Sequence, residues 1–139
     1  MDCIFCNIIK GKIPARKIME TKKSLAFLDA FPLAEGHTIV IPKNHYTKIQ
    51  EMNKDDNMDL FESVKVLTST IERLFSTSLI AIHNGKESGQ EVPHVHVHII
   101  PRIIDDGAGA VHSMFRKRPH FTNDELDQIA EKLNKIIKV

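Results

Sequence analysis

The sequence has no tryptophan, one tyrosine and two cysteines in 139 residues, and neither sign of charge is in excess. Two cysteines cannot supply the disulfide framework on which small secreted domains depend. The 19 lysines and arginines stand against 18 aspartates and glutamates, a net charge of +1, so no overall field attracts nucleic acid or an anionic membrane. We therefore expect no nucleic-acid partner and no membrane partner, and we expect a small ligand instead.

Long apolar runs are also missing. No segment approaches the roughly 20 apolar residues that span a bilayer, and the residues after Met1 lack the basic and apolar regions of a secretory signal. We therefore expect a cytoplasmic protein. Thiols stay reduced in that compartment, so Cys3 and Cys6 at CxxC spacing indicate metal ligands, a redox pair or two reduced, partly buried residues before they indicate a disulfide.

The length fits a single domain over residues 1–139, and 42% apolar with 27% charged residues is an ordinary globular mixture. Within it we distinguish a core over 1–103 that bears the motifs, a polar loop over 104–120 with two glycines, and a C-terminal helix over 121–139. Apolar residues at helical spacing predict one long helix over Lys54–Phe75. Thr122 and Glu125 resemble a capping box at the start of the terminal helix.

A short helix over 3–10, with Asp2 as its cap, is predicted at the start of the chain. Segments rich in β-branched and other apolar residues, bounded by polar turns, predict five strands over 17–19, 24–28, 37–42, 79–83 and 94–100. Strands in hairpins with one long and one terminal helix favour an α+β fold, in which helices cover one face of an antiparallel sheet.

The most informative segment alternates His94, Val95, His96, Val97 and His98. Successive side chains of a strand point to opposite faces, so we expect the valines in the core and the three imidazoles in one row along a surface or cleft. Such a row is consistent with three roles: exposed residues of an edge strand, ligands of a catalytic zinc, or a nucleophilic imidazole with its supporting groups.

The loop before the row favours the third role. It contains Gly85 and Gly89 together with the amides of Asn84 and Gln90. Glycine lets backbone N–H groups turn toward an anion, and amide side chains donate hydrogen bonds without bringing a full charge. A phosphate-bearing ligand beside the imidazoles is therefore expected.

The sequence resembles the histidine triad (HIT) family, and is nearest to its nucleoside phosphoramidase branch. The resemblance rests on His94–His98 with the two isoleucines that follow, and on the segments 3–5, 26–29, 36–43, 83–85 and 101–102. It covers about the first 100 residues. It implies a five-stranded antiparallel sheet, with two such sheets joined in a homodimer and the long helix near the interface.

The resemblance also implies a chemistry. His96 would be the nucleophile that forms a covalent nucleotidyl-histidine, and His98 would bind a phosphoryl oxygen or protonate the leaving group. Asn84 and Gln90 would bind the phosphate and the leaving-group side, and Asp29 would accept hydrogen bonds from the ribose hydroxyls of a purine nucleotide such as AMP or GMP. An apolar slot for the base would come from Ile4, Phe5, Ile8, Phe27 and Leu28.

CxxC is half of a tetrahedral zinc site, and His45 and His94 are candidates for the other half. Family members of bacterial type hold zinc with this combination, so the resemblance implies a structural zinc on Cys3, Cys6, His45 and His94. It implies no organic cofactor.

Glu91 departs from the family pattern, in which phosphoramidase-like members have serine or threonine. A carboxylate facing phosphate is repelled, so we expect Glu91 to turn outward or to pair with a cationic leaving group.

The expected activity is hydrolysis of a purine nucleoside phosphoramidate. Hydrolysis of a dinucleoside polyphosphate uses the same nucleophile and is the alternative; a zinc-stabilised nucleotide-binding sensor or scaffold is the alternative of another class.

Overall fold

The computed structural model describes residues 2–139, so Met1, the first residue of the predicted core, lies outside the described residues. Its sheet has the order β1-β2-β3-β5-β4, and every adjacent pair is antiparallel. The strands are β1 (Lys17–Glu20), β2 (Ser24–Leu28), β3 (Thr38–Pro42), β4 (Thr77–Ala81) and β5 (Val97–Arg102). The predicted α+β class with a five-stranded antiparallel sheet is confirmed.

The long helix α2 spans Lys54–Phe75, the range that its apolar period predicts. Asn53 caps it by accepting a hydrogen bond from the backbone N–H of Asp56 at 2.8 Å. One stripe of α2 packs on the sheet and forms the main core with the alternate residues of three strands. The core residues are Ala26, Val40, Leu60, Val64, Leu67, Ile71, Val95, Val97 and Ile99.

The short helix α1 spans Ile4–Ile9 and packs on the opposite face of the sheet. The expectation that helices cover one face only is therefore wrong, because β2 and β3 carry apolar residues on both faces. The second cluster consists of Cys3, Phe5, Ile8, Leu25, Phe27, Ile39 and Ile41. The cap of α1 is also not the predicted Asp2: Cys3 occupies that position, and its Sγ accepts from the Cys6 N–H at 3.5 Å.

The histidine strand begins later than predicted. β5 starts at Val97, because the His94 N–H turns back to the Val92 carbonyl at 2.8 Å and the Val95 N–H donates to the Tyr46 carbonyl at 2.7 Å. The residues before Val97 thus pair with the loop after β3 and not with β3 itself. The predicted burial of the valines is nonetheless confirmed, since both valines and Ile99 are fully buried in the main core, whereas His94, which was expected along a surface or cleft, is itself fully buried.

Contacts divide the chain into one compact unit that ends at Asp106 and another that begins at Gly107. The second unit contains a 3₁₀ turn over Val111–Met114 and the helix α3 over Asn123–Ile136. Thr122 and Glu125 form the predicted capping box of α3. Within residues 2–139, no helix is long and apolar enough to cross a membrane.

Candidate active site and metal centre

A cleft of about 550 Å³ opens on the face of the sheet that α1 covers. All five apolar residues predicted for the base slot line it, and three of them, Phe5, Ile8 and Phe27, are also buried in the second cluster. The rings of Phe5 and Phe27 meet edge to face at 5.7 Å. This wall has the size and apolarity that an aromatic ligand requires.

His96 lies against this wall, with its ring 5.1 Å from that of Phe5. Its Nδ1 lies 2.7 Å from the His94 carbonyl oxygen, which can only accept, so Nδ1 carries the proton and Nε2 carries the lone pair. Burial lowers the pKa of His96, which keeps the ring neutral at pH 7. A buried, neutral imidazole with a fixed lone pair is the form that a nucleophile requires.

The tautomer of His98 is fixed by a hydrogen bond from His37, a residue that was not predicted to belong to the site. The Leu33 N–H donates to His37 Nδ1 at 3.0 Å, so the His37 proton is on Nε2 and points to His98 Nδ1 at 2.9 Å. His98 Nδ1 therefore accepts, and its Nε2–H is left to donate into the cleft. Burial and the neighbouring imidazoles lower the pKa of His98 to about 4, so this donor is neutral at pH 7.

Asp29 lies beside this pair and lines the cleft. One of its carboxylate oxygens accepts the Phe31 N–H at 2.8 Å, and the other is 3.5 Å from His37 Nε2. Asp29, His37 and His98 are close enough together to hold a metal ion. The Leu33 N–H argues against that role, because a neutral His37 that accepts at Nδ1 has no lone pair at Nε2 for a metal.

The structure does not place Asn84 and Gln90 at the cleft. The Gln90 amide accepts from the Gly85 N–H at 3.0 Å and donates to the Thr47 carbonyl at 2.8 Å. Asn84 Oδ1 accepts from the Ile49 N–H at 2.9 Å, and its Nδ2 donates to Gln50 at 3.0 Å. Both amides thus fix the loop, whereas their neighbours in sequence, His83 and Glu91, line the cleft.

No periodic pattern in the sequence assigns His37, His83 or Arg16 to a site. His37 lies 61 residues from its partner His98, and only the pairing of β3 with β5 joins the two. His83 and Arg16 line the cleft because β4 ends near the first of them and β1 begins next to the second.

The structure brings Cys3, Cys6, His45 and His94 together, with one ligand atom of each inside a 4.8 Å cluster. The His94 Nδ1 lies 3.4 and 3.6 Å from the two sulfurs and 3.1 Å from His45 Nδ1, and the Cys6 Sγ lies 3.4 Å from that same His45 atom. A tetrahedral zinc, with bonds of about 2.3 Å to sulfur and about 2.05 Å to nitrogen, spaces two nitrogens about 3.3 Å apart and nitrogen and sulfur about 3.5 Å apart. The donor set fits that metal.

Further hydrogen bonds orient the His94 imidazole and fix the loop that carries His45. The His94 Nε2–H donates to the Pro42 carbonyl at 2.8 Å, which leaves the Nδ1 lone pair facing the sulfurs. His45 lies between Asn44 and Tyr46, which both donate to the buried carboxylate of Asp56, at 2.8 and 2.6 Å. These hydrogen bonds lower the pKa of Asp56 and keep it ionised. The His45 loop is therefore fastened to the first turn of α2.

Comparison with known proteins gives one consistent result. The HIT domain model matches residues 10–104. A HIT-like protein of Methanocaldococcus jannaschii is 46% identical over 106 residues, which are 76% of this chain and 82% of that protein. Adenosine 5'-monophosphoramidase hnt1 of Schizosaccharomyces pombe is 37% identical over 139 residues, 99% of this chain and 100% of that protein. The crystal structure of a HIT family member from Bacillus subtilis superposes with a TM-score of 0.88 at 34% identity, covering 100% of this chain and 99% of that one.

Proposed function

This chain belongs to the HIT-domain family, and from that membership and the geometry of the cleft we propose that it hydrolyses purine nucleoside 5'-phosphoramidates through a covalent nucleotidyl-histidine on His96. The chain is a hydrolase of this family that acts on nucleotides. The observation that carries the proposal is the neutral His96, whose Nδ1–H is committed to the His94 carbonyl and whose Nε2 carries the lone pair.

In the proposed first step, Nε2 of His96 attacks the α-phosphorus, a nitrogen–phosphorus bond forms, and the bond from phosphorus to the leaving amine breaks. The electron pair of the broken bond stays on the amine nitrogen, which takes a proton from solvent and leaves as the neutral amine. His98 stays neutral, because its pKa is held to about 4, and its Nε2–H donates a hydrogen bond to a phosphoryl oxygen. Water then attacks phosphorus and gives its proton to solvent, the bond from phosphorus to His96 Nε2 breaks with its electron pair returning to Nε2, and the nucleoside monophosphate leaves.

The apolar wall supports binding of a base such as that of AMP or GMP, and the Asp29 carboxylate supports binding of the ribose hydroxyls. A structural zinc would be held by Cys3, Cys6, His45 and His94; it would fasten α1 beside the nucleophile and take no part in the chemistry.

We also propose that the chain forms a homodimer. It is supported by the edge strand β4, on which Leu79 and Ile80 are partly exposed.

The direct test compares release of AMP from adenosine 5'-phosphoramidate and from diadenosine tetraphosphate by the wild-type protein. We expect the phosphoramidate to have the higher kcat/KM. A preference for the dinucleotide would keep the nucleophile and replace the leaving group. If a folded wild-type protein binds AMP but turns over neither compound, the proposal is wrong and a nucleotide-binding sensor becomes the better description.

Replacing Asp29 by alanine should raise KM for adenosine 5'-phosphoramidate by about tenfold, because a charge-assisted hydrogen bond to a ribose hydroxyl is worth roughly 1.5–3 kcal/mol. The same change should remove the preference of the wild type for the ribose over the 2',3'-dideoxyribose substrate. Steady-state kinetics with both sugars measure this. Asp127→Ala, at an exposed position of α3, is the control. A preference for ribose over dideoxyribose that is equal in Asp29→Ala and wild type would contradict the assignment.

A further inference from the structure

The cleft crosses the sheet, and its two ends differ in chemistry. The strands β1 and β4 are opposite edges of the sheet. One end of the cleft is lined by α1, by β2 and by the residues just before β1, and it is predominantly apolar. At the other end lies His83, which follows β4. A nucleotide whose base occupies the apolar end directs the other substituent of its phosphorus toward β4.

His98 lies between the two ends of the cleft. It pairs in register with Ala81 of β4, and its ring lies 5.8 Å from that of His83. The entering and leaving atoms of a phosphoryl transfer lie roughly in line, so a leaving group displaced by His96 departs on the far side of phosphorus. The space beside His98 and His83 therefore receives it.

Glu91 brings a charge to this end. It lines the cleft and its side chain is exposed, whereas the preceding Gln90 is held at both ends of its amide. Gly89 packs against His83: a Cβ on Gly89 would lie 3.1 Å from His83 Cδ2. The backbone next to Glu91 is therefore fixed, and its side chain extends from a fixed point at the cleft.

Within residues 2–139, none of the ion pairs includes Glu91. The cleft is lined by one arginine, Arg16, and this residue precedes β1 at the opposite edge of the sheet. The carboxylates that line the cleft are Glu91 and Asp29, and Asp29 lies close to the His37–His98 pair.

We infer that Glu91, which lines the cleft two residues after the Gly89 that packs on His83, forms a leaving-group subsite that selects amines carrying a second, positively charged group. This inference rests on the proposed function and adds the class of amine. An anionic phosphate gains nothing from a carboxylate nearby, whereas an ammonium group two carbons beyond the scissile nitrogen is attracted to it. Because Glu91 is exposed to solvent, we expect the attraction to change kcat/KM by about three- to tenfold.

The test uses three adenosine 5'-phosphoramidates of similar length, made from ethylenediamine (cationic), n-propylamine (neutral) and β-alanine (anionic). In the wild type, the ratio of kcat/KM for the cationic to the neutral substrate should exceed that for the anionic to the neutral one. In Glu91→Gln the first ratio should fall by about three- to tenfold and the second should rise. Comparing each ratio between variants cancels the intrinsic reactivity of the amines.

Glu87→Gln is the matched control, since Glu87 is an exposed glutamate of the same loop that does not line the cleft. Its ratios should equal those of the wild type. Identical ratios in Glu91→Gln and wild type would overturn the subsite while the proposed function stands. A wild-type protein that cleaves none of the three substrates would overturn the proposed function, and the subsite with it.

Discussion

Replacement of His96 by alanine should lower kcat for adenosine 5'-phosphoramidate by a factor of about 10³ or more, which is the scale of losing a catalytic nucleophile. KM for the substrate should change much less, because the apolar wall and Asp29 remain. We expect a loss of this size because neither of the other two histidines of the row presents a lone pair to the cleft. His98 presents an N–H and not a lone pair to the cleft, and the His94 Nδ1 lone pair faces the two cysteines.

Rapid mixing with a substrate labelled at the α-phosphorus, followed by denaturation, provides the second measurement. The wild type should retain an acid-labile label on the protein, and His96→Ala should retain none. His120→Ala, a histidine of the second unit outside the cleft, is the control for loss of an imidazole. Turnover by His96→Ala above about 1% of the wild-type rate would show that another group attacks phosphorus.

The parts of this site that follow from periodicity could be predicted from the sequence. Val95, Val97 and Ile99 alternate with the histidines, and that pattern placed the valines in the core and the imidazoles on the other side. The range of α2 was equally predictable, because apolar residues recur at helical spacing from Lys54 to Phe75. In both cases, burial of one face decides the position of the residue.

Other parts depend on contacts between residues that are distant in sequence. The tautomer of His98 is set by a backbone N–H at Leu33 acting through His37, and nothing in the local sequence of β5 indicates it. In the loop, the order of residue types did not show which side chains face the cleft. The Gln90 amide donates to the Thr47 carbonyl and does not line the cleft, whereas Glu91 does.

The predicted zinc cluster and the nucleotide slot are connected through α1. Phe5 lies between Cys3 and Cys6 in the sequence, and its ring contacts the rings of both His94 and His96 edge to face, at 5.8 and 5.1 Å. A metal bound by the two cysteines would therefore hold Phe5 against the nucleophile. α1 has six residues, too few for a helix to be stable by itself, so its position depends on such contacts.

Loss of the metal should consequently affect both stability and binding. In Cys6→Ser we expect zinc to fall from about one per chain to below a tenth, and we expect Tm to drop by about 10 °C, which corresponds to roughly 3 kcal/mol for a chain of this size. KM for adenosine 5'-phosphoramidate should rise several-fold and kcat should change less, because His96 keeps its bond to the His94 carbonyl. Metal analysis, thermal unfolding and kinetics on the same preparations measure the three effects.

Treatment with a chelator distinguishes the effect of losing the metal from the effect of changing the side chain. A chelator should lower the Tm of the wild type to that of Cys6→Ser and should leave the variant unchanged, since the variant has no metal to lose. His45→Ala should behave like Cys6→Ser, whereas His112→Ala, an exposed histidine outside the cluster, should behave like the wild type. If the wild type contains no zinc and its Tm does not respond to the chelator, the four residues are not a metal site. The position of Phe5 then depends on its ring contacts with Phe27, His94 and His96 and on the second apolar cluster, without a metal.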